Sequence, residues 1–242
     1  LEKTAGGAPA LRLGLRMVKG FSEEAGRSVE AARVAGCFSS TQMLVERTGL
    51  DRRELGALAS AGALKTLAGD RYKARWAVAG VEKPTALFRS MERFEAAPLL
   101  RRPSEGQNIV ADYRGLGLTL ERHPMHLLRA HLGRYHYCRS SDLATLKTGQ
   151  RVSVAGLVIT KQRPGTASGV TFVTIEDESG HVNLIVWKQI AEQYRAALLN
   201  AKLMGVHGEV QIEGKVIHVI AKQLIDHSAL LGSLQVTSRD FR

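Results

Sequence analysis

Val18-Lys19-Gly20-Phe21-Ser22 is the first stretch whose residue types suit a chemical task. A tight turn at Gly20 between two helices would expose backbone N–H groups at a helix N-terminus. Such groups hold a phosphate without reading a base. Lys19 adds a positive charge beside them. The usual hairpin of this kind has a second glycine where Ser22 stands, which weakens the predicted grip. An ordinary helix–helix turn is the alternative, and the sequence leaves both open.

A second candidate lies further on. Lys161-Gln162-Arg163-Pro164-Gly165 reads as a basic loop after a strand, with Phe172, Trp187 and Lys188 close by in the strands that follow. Basic loops beside exposed aromatics are how small barrels hold single-stranded nucleic acid, each stacked base contributing ~1–3 kcal/mol. The alternative is a barrel that docks protein, or none at all, with its aromatics in the core.

Two further clusters invite a metal reading and do not sustain it. His123, His126, His131 and His136 lie near Cys138, but structural zinc uses paired short spacings with cysteine well represented. They are expected to be exposed or capping histidines. Glu176-Asp177-Glu178 suggests phosphoryl-transfer metals, yet successive strand residues point to opposite faces. A solvated hairpin end is expected there. With no Walker loop, nucleophile elbow or dinucleotide fingerprint, no catalytic residue and no metal ligand is assigned.

The elements that must carry these residues follow from periodicity. Ser22-Glu23-Glu24 caps a helix with Ala25, Val29, Ala32 and Val34 at helical spacing. Thr48-Gly49-Leu50-Asp51 makes a turn into a helix burying Leu55, Leu58 and Ala59. Residues 81–106, with Pro84, Pro98 and Pro103, read as a linker, and Pro124 suits a first helical turn. Beyond Gly149 the period becomes that of strands: 152–159, 170–175, 182–187, 203–212 and 216–221, with one helix at 189–200. Three strands, a helix and two strands is the order of an OB-fold, a five-stranded Greek-key barrel. The fold class is therefore α+β and multi-domain: an all-α helix-hairpin-helix region at 1–80, a linker and helical segment at 81–147, an all-β barrel at 148–230 and a tail at 231–242.

Composition sets the outer limits. The chain has 242 residues, 44% hydrophobic and 24% charged, with a net charge of +11. That is globular composition with a polyanion-friendly surplus. The surplus is +5 over residues 1–100, +4 over 101–150 and +2 over 151–242. No apolar run spans a bilayer, and two cysteines make no disulfide framework, so a cytoplasmic protein without membrane contact is expected. Leu1 in place of Met predicts a piece of a longer protein.

Five stretches in order carry a resemblance over nearly the whole chain: LRLGLRMVKGFSEEAGRSVEAAR (11–33), DRYKARWAV (70–78), DYRGLGLTLERHPMHLLR (112–129), VAGLVITKQRPGTASGVTFVTIEDESGHVNLIVW (154–187) and SRDFR (238–242). Together they resemble the C-terminal part of the error-prone, DnaE-type (C-family) bacterial DNA polymerases of the ImuC kind. The resemblance implies a translesion polymerase with ImuA and ImuB as accessory proteins and the sliding clamp reached indirectly. It implies Mg2+ for the parent, on catalytic aspartates upstream of Leu1, and no cofactor in this portion. It also matches Lys19 and Gly20 to the hairpin, and Lys161, Arg163 and Phe172 to a DNA-holding barrel face. A docking role for Arg239, Asp240 and Phe241 in the tail rests on the SRDFR match alone. The sequence departs at Lys161, Lys188 and Arg242, where arginine, proline and histidine are more usual.

Overall fold

The computed structural model describes residues 2–3, 9–10, 12–81, 99–165, 169–214 and 216–234. The chain divides into two compact units, Leu1–Leu120 and Glu121–Arg242.

The first unit is helical: α1 (Glu23–Val34), α2 (Thr41–Thr48), α3 (Arg52–Ser60), α4 (Lys65–Ala68), α5 (Arg71–Ala79) and α6 (Glu105–Gly115). Its starts are written in capping chemistry. Ser22 accepts from the Ala25 amide at 3.1 Å, and Asp51 with Glu54 closes a capping box on α3. Ser104 and Gln107 do the same for α6, so a helix begins inside the stretch expected as linker. Leu44, Val45, Leu55, Leu58, Ala59, Ala74 and Val78 share one core. Val34 departs from expectation, being 88% exposed. At 3.6 residues per turn it lies about 180° around the helix from Ala25, opposite the buried stripe.

Between α5 and α6 runs a buried ion pair. Arg71 and Asp112 are each 3% exposed. Arg71 Nη1 also donates to the Asn108 carbonyl at 2.9 Å, while Asp112 Oδ2 accepts from Thr119 Oγ1 at 3.1 Å.

The second unit opens with α7 (Pro124–Leu132), with Pro124 at its first turn as expected. It then forms a closed barrel of β1 (Arg151–Gln162), β2 (Thr171–Asp177), β3 (Gly180–Val186), β4 (Leu203–Glu213) and β5 (Val216–Asp226) in the order β1-β2-β3-β5-β4. All pairs are antiparallel except β3 with β5, and this is the OB-fold arrangement. Val154, Val173, Ile175, Leu184, Val206 and Val219 fill the interior.

The helix between β3 and β4 is divided: α8 (Lys188–Gln193) and α9 (Arg195–Asn200) meet at Tyr194, at φ −107° and ψ 31°. The bend lets Ile190 and Tyr194 on one half and Ala197 and Leu198 on the other reach the same core. Gly156 is required by proximity, since a Cβ there would lie 2.6 Å from the Glu176 carbonyl oxygen of β2.

Candidate nucleic-acid interface

The barrel alternates strictly along β2 and β3. Thr171, Val173, Ile175 and Asp177 turn inward; Phe172, Thr174 and Glu176 turn outward. On β3, Val182, Leu184 and Val186 are interior while His181, Asn183 and Ile185 are not. Trp187 continues that outer row. Register brings Gln162, Phe172 and Ile185 side by side across β1, β2 and β3. Phe172 is 39% exposed and Trp187 53%, so neither is a core residue. This is the strand 2–3 face on which OB-folds place their ligands.

The predicted basic residues divide into free and engaged. Arg163 and Lys188 are exposed, and Lys188 lays its aliphatic stem over Gly169 in the loop between β1 and β2. Lys161 is exposed along its chain, but its ammonium donates to the carbonyls of Leu199 at 2.9 Å and Ala201 at 3.1 Å. It caps the C-terminal end of α9, a favourable place for a cation. Burial there lowers its pKa.

The predicted hairpin shows the same division. Gly20 adopts φ 78°, the left-handed geometry the turn needs. Lys19, however, donates its backbone N–H to the Gly115 carbonyl at 2.8 Å and its Nζ to Tyr113 O at 3.3 Å, at the C-terminal end of α6. Ser22 caps α1 and donates to Glu54 Oε1 at 3.1 Å. A shallow groove of about 300 Å3 at this turn is lined by Gly20, Ser22, Asp51, Arg53 and Glu54. Its carboxylates oppose an anion.

The turn read from the sequence at Thr48-Gly49-Leu50-Asp51 is present and has the same pattern. Gly49-Leu50-Asp51 repeats Gly20-Phe21-Ser22: a left-handed glycine (φ 70°), a core residue and a cap. There Arg52 and Arg53 open the following helix on the exposed side.

Two of the three acids expected at a solvated hairpin end, Asp177 and Glu178, are instead engaged in the fold. Asp177 is 4% exposed and pairs with Arg129 of α7 at 2.9 Å; Glu178 takes Arg129 Nε at 2.8 Å. Asp177 also accepts from the Ser140 and Ser179 hydroxyls, both at 2.7 Å. Burial alone would raise both pKa values. The hydrogen bonds from Ser140 and Ser179 on Asp177, and from Arg129 on Glu178, outweigh it and hold both carboxyls below their ordinary values. These acids are committed to the fold and do not fit a Mg2+ site. Among the described residues, no group of three or more His, Cys, Asp or Glu is placed to hold a metal.

His123 caps α7, its Nδ1 accepting from Met125 N at 3.2 Å. Arg239, Asp240 and Phe241 lie outside the described residues.

The helix-hairpin-helix motif model matches residues 2–74, and the OB-fold nucleic acid binding domain model matches residues 152–226. Over 98% of its length the chain is 54% identical to an error-prone DNA polymerase of Pseudomonas fluorescens strain Pf-5. It is 50% identical, again over 98%, to the error-prone DNA polymerase of Methylococcus capsulatus strain Bath. Over nearly its whole length the chain is thus similar to one portion of the error-prone DNA polymerases. It spans 23% of the length of each of these two relatives. Among the described residues, no helix is long and apolar enough to cross a membrane.

Proposed function

We propose that this chain is the C-terminal, non-catalytic portion of a cytoplasmic translesion DNA polymerase, and that its barrel holds single-stranded template. The observation that carries the reading is the exposure of Phe172 and Trp187 on one outer face of a closed OB barrel, beside the free cations Arg163 and Lys188. Bases stack on such rings whatever their sequence, and backbone phosphates meet the cations. Lys161, engaged with the carbonyls at the end of α9, is assigned a supporting role. The hairpin residues Lys19, Gly20 and Ser22 are assigned a lesser, phosphate-positioning role. In the whole enzyme, DNA-directed polymerisation with Mg2+ belongs to aspartates outside this segment.

The test is fluorescence anisotropy of labelled oligodeoxythymidylate across a salt series. Log K falling linearly with log salt is expected, with Phe172→Ala costing about 1–3 kcal/mol and Arg163→Glu reducing the salt slope. Absence of binding at low salt would sink the reading.

A second reading is favoured by one observation, the small +2 surplus of residues 151–242. On it the barrel and tail dock accessory mutagenesis proteins, ImuB and through it ImuA and the sliding clamp. It expects ImuB capture to require residues 148–242; full capture after their deletion excludes it.

A further inference from the structure

On the other side of the barrel, where β1 pairs with β4, the outer face carries a groove of about 730 Å3 lined in part by Arg151, Ser153, His207, Glu209 and Lys222. Register sets Ser153 opposite His207 and Arg151 opposite Glu209. Inward-pointing Val152, Val154 and Val206 put these polar partners outside. The size falls in the roughly 300–1,000 Å3 range of small-ligand sites.

A column of rings leads to this groove. Tyr135 stacks on Tyr137 with centroids 5.6 Å apart and planes 21° from parallel. Tyr137 stacks on His207 at 5.7 Å and 26°. Of the three, only His207 lines the groove, where its Nδ1 lies 2.6 Å from Ser153 Oγ. The column is held deliberately. Tyr137 Oη meets His227 Nε2 at 2.8 Å, and Gly205 is bare because any Cβ there would collide with the Tyr137 ring.

His136, between the two tyrosines and itself on the groove wall, stands at φ 53°. It is the one non-glycine with positive φ among the described residues. Strained backbone of this kind persists where the surroundings enforce it, and clusters at ligand sites. The groove's charge is set by Arg151 and Lys222 against Glu209, which lies 3.5 Å from Lys222. Arg151, also exposed, lies outside that pair.

We propose that this groove holds one unpaired nucleotide of a single-stranded nucleic acid, its base continuing the Tyr135–Tyr137–His207 column and its phosphate on Arg151. The site is separate from the Phe172–Trp187 face and rests on the reading that the barrel handles nucleic acid. A base has the flat π surface that the end of a ring column accepts, and its phosphate is complementary to the cation. An acidic peptide would satisfy Arg151 but would leave the end of the column without a partner ring.

The experiment uses the full chain and oligodeoxythymidylate, comparing Arg151→Glu, His207→Ala and a charge-matched control, Arg195→Glu, on exposed α9. Arg151→Glu is expected to lower the salt slope by about one relative to the control. His207→Ala is expected to weaken binding about fivefold or more. In the unmodified protein the His207 ring resonances should shift as oligonucleotide is added. His207→Ala is scored only if its melting temperature stays near the parent's; Arg151→Glu, a surface change, keeps the test open otherwise. Binding lost with Phe172→Ala but unchanged by Arg151→Glu, with still His207 resonances, overturns this site and leaves the barrel reading intact. No oligonucleotide binding by the parent chain overturns both.

Discussion

Removing the Asp112 carboxylate would strand a guanidinium in the helical unit. Arg71 and Asp112 are each 3% exposed, and the carboxylate also receives Thr119 Oγ1 at 3.1 Å and the Leu120 amide at 3.3 Å. Arg71 keeps only the Asn108 carbonyl and side chain, and its Nε is already without a partner. Breaking a buried pair on one side costs about 3–5 kcal/mol, because the remaining charge is desolvated and uncompensated. The Thr119 and Leu120 donors also lose a charged acceptor, each such bond contributing about 1.5–3 kcal/mol. Asp112→Ala is therefore expected to lower the stability of this unit by at least 3 kcal/mol, much of what a small domain has.

The chain's two tryptophans, Trp76 and Trp187, fall one in each unit, which supplies the assay. In a Trp187→Phe background, urea unfolding followed by fluorescence reports the helical unit through Trp76 alone. The double variant Arg71→Met/Asp112→Leu should recover most of the loss, since it removes both charges and replaces them with apolar groups of similar shape. A loss below 1 kcal/mol in Asp112→Ala, or a double variant as unstable as the single, would refute the argument.

Acid should weaken the barrel unit in two stages. Burial lowers the pKa of both His123 and His227 below 6.5, so the unfolded chain binds protons there first. Their stabilisation is complete above that value and is lost as pH falls toward the folded-state pKa values. A second loss follows at lower pH, because Asp177 and Glu178 are held below their ordinary values and protonate last. In a Trp76→Phe background, melting temperatures followed through Trp187 fluorescence from pH 7.5 downward should decline in that sequence, and a flat profile to pH 5 would contradict it. Lys161→Met should cost about 1 kcal/mol of barrel stability in urea unfolding by loosening α9, with little change in oligonucleotide affinity. Gly156→Ala should destabilise by about 1–3 kcal/mol, the Cβ meeting the β2 backbone; a neutral melting temperature would show that β1 shifts freely.

What was legible in the sequence is what has a short period or a cap. Asp51, Ser22 and Pro124 announce their helices, and alternation from Val152 onward announces the barrel, because a strand's two faces meet different solvents. Long-range partners leave no such trace. Nothing local to Asp177 names Arg129, 48 residues earlier, as its counter-ion. Nothing local to Arg71 names Asp112, since the pairing exists only once α5 and α6 are packed. The ring column was hidden for the same reason: Tyr137, His207 and His227 converge from three separate segments. For Phe172 and Trp187 the sequence left face and core both open, and in the fold both are exposed. The charges beside them were no more legible, since a lysine looks alike in sequence whether it faces water or a helix end.

That last point bears on how the +11 charge acts. Lys19 and Lys161 sit on helix carbonyls, and Arg71 and Arg129 on buried carboxylates. Four cations are thus committed to the fold, and net charge overstates what a phosphate meets. On the barrel the proposed contacts are Arg163, Lys188 and Arg151, each exposed. Three phosphates neutralised on a single strand give a log–log salt slope of about −2. A short oligonucleotide confined to the barrel should return that value, and Arg163→Glu with Arg151→Glu should bring it close to zero. A slope several times steeper would mean that the helical unit supplies most of the phosphate contacts. In that case the exposed Arg52 and Arg53 after the Gly49 turn are the next positions to reverse.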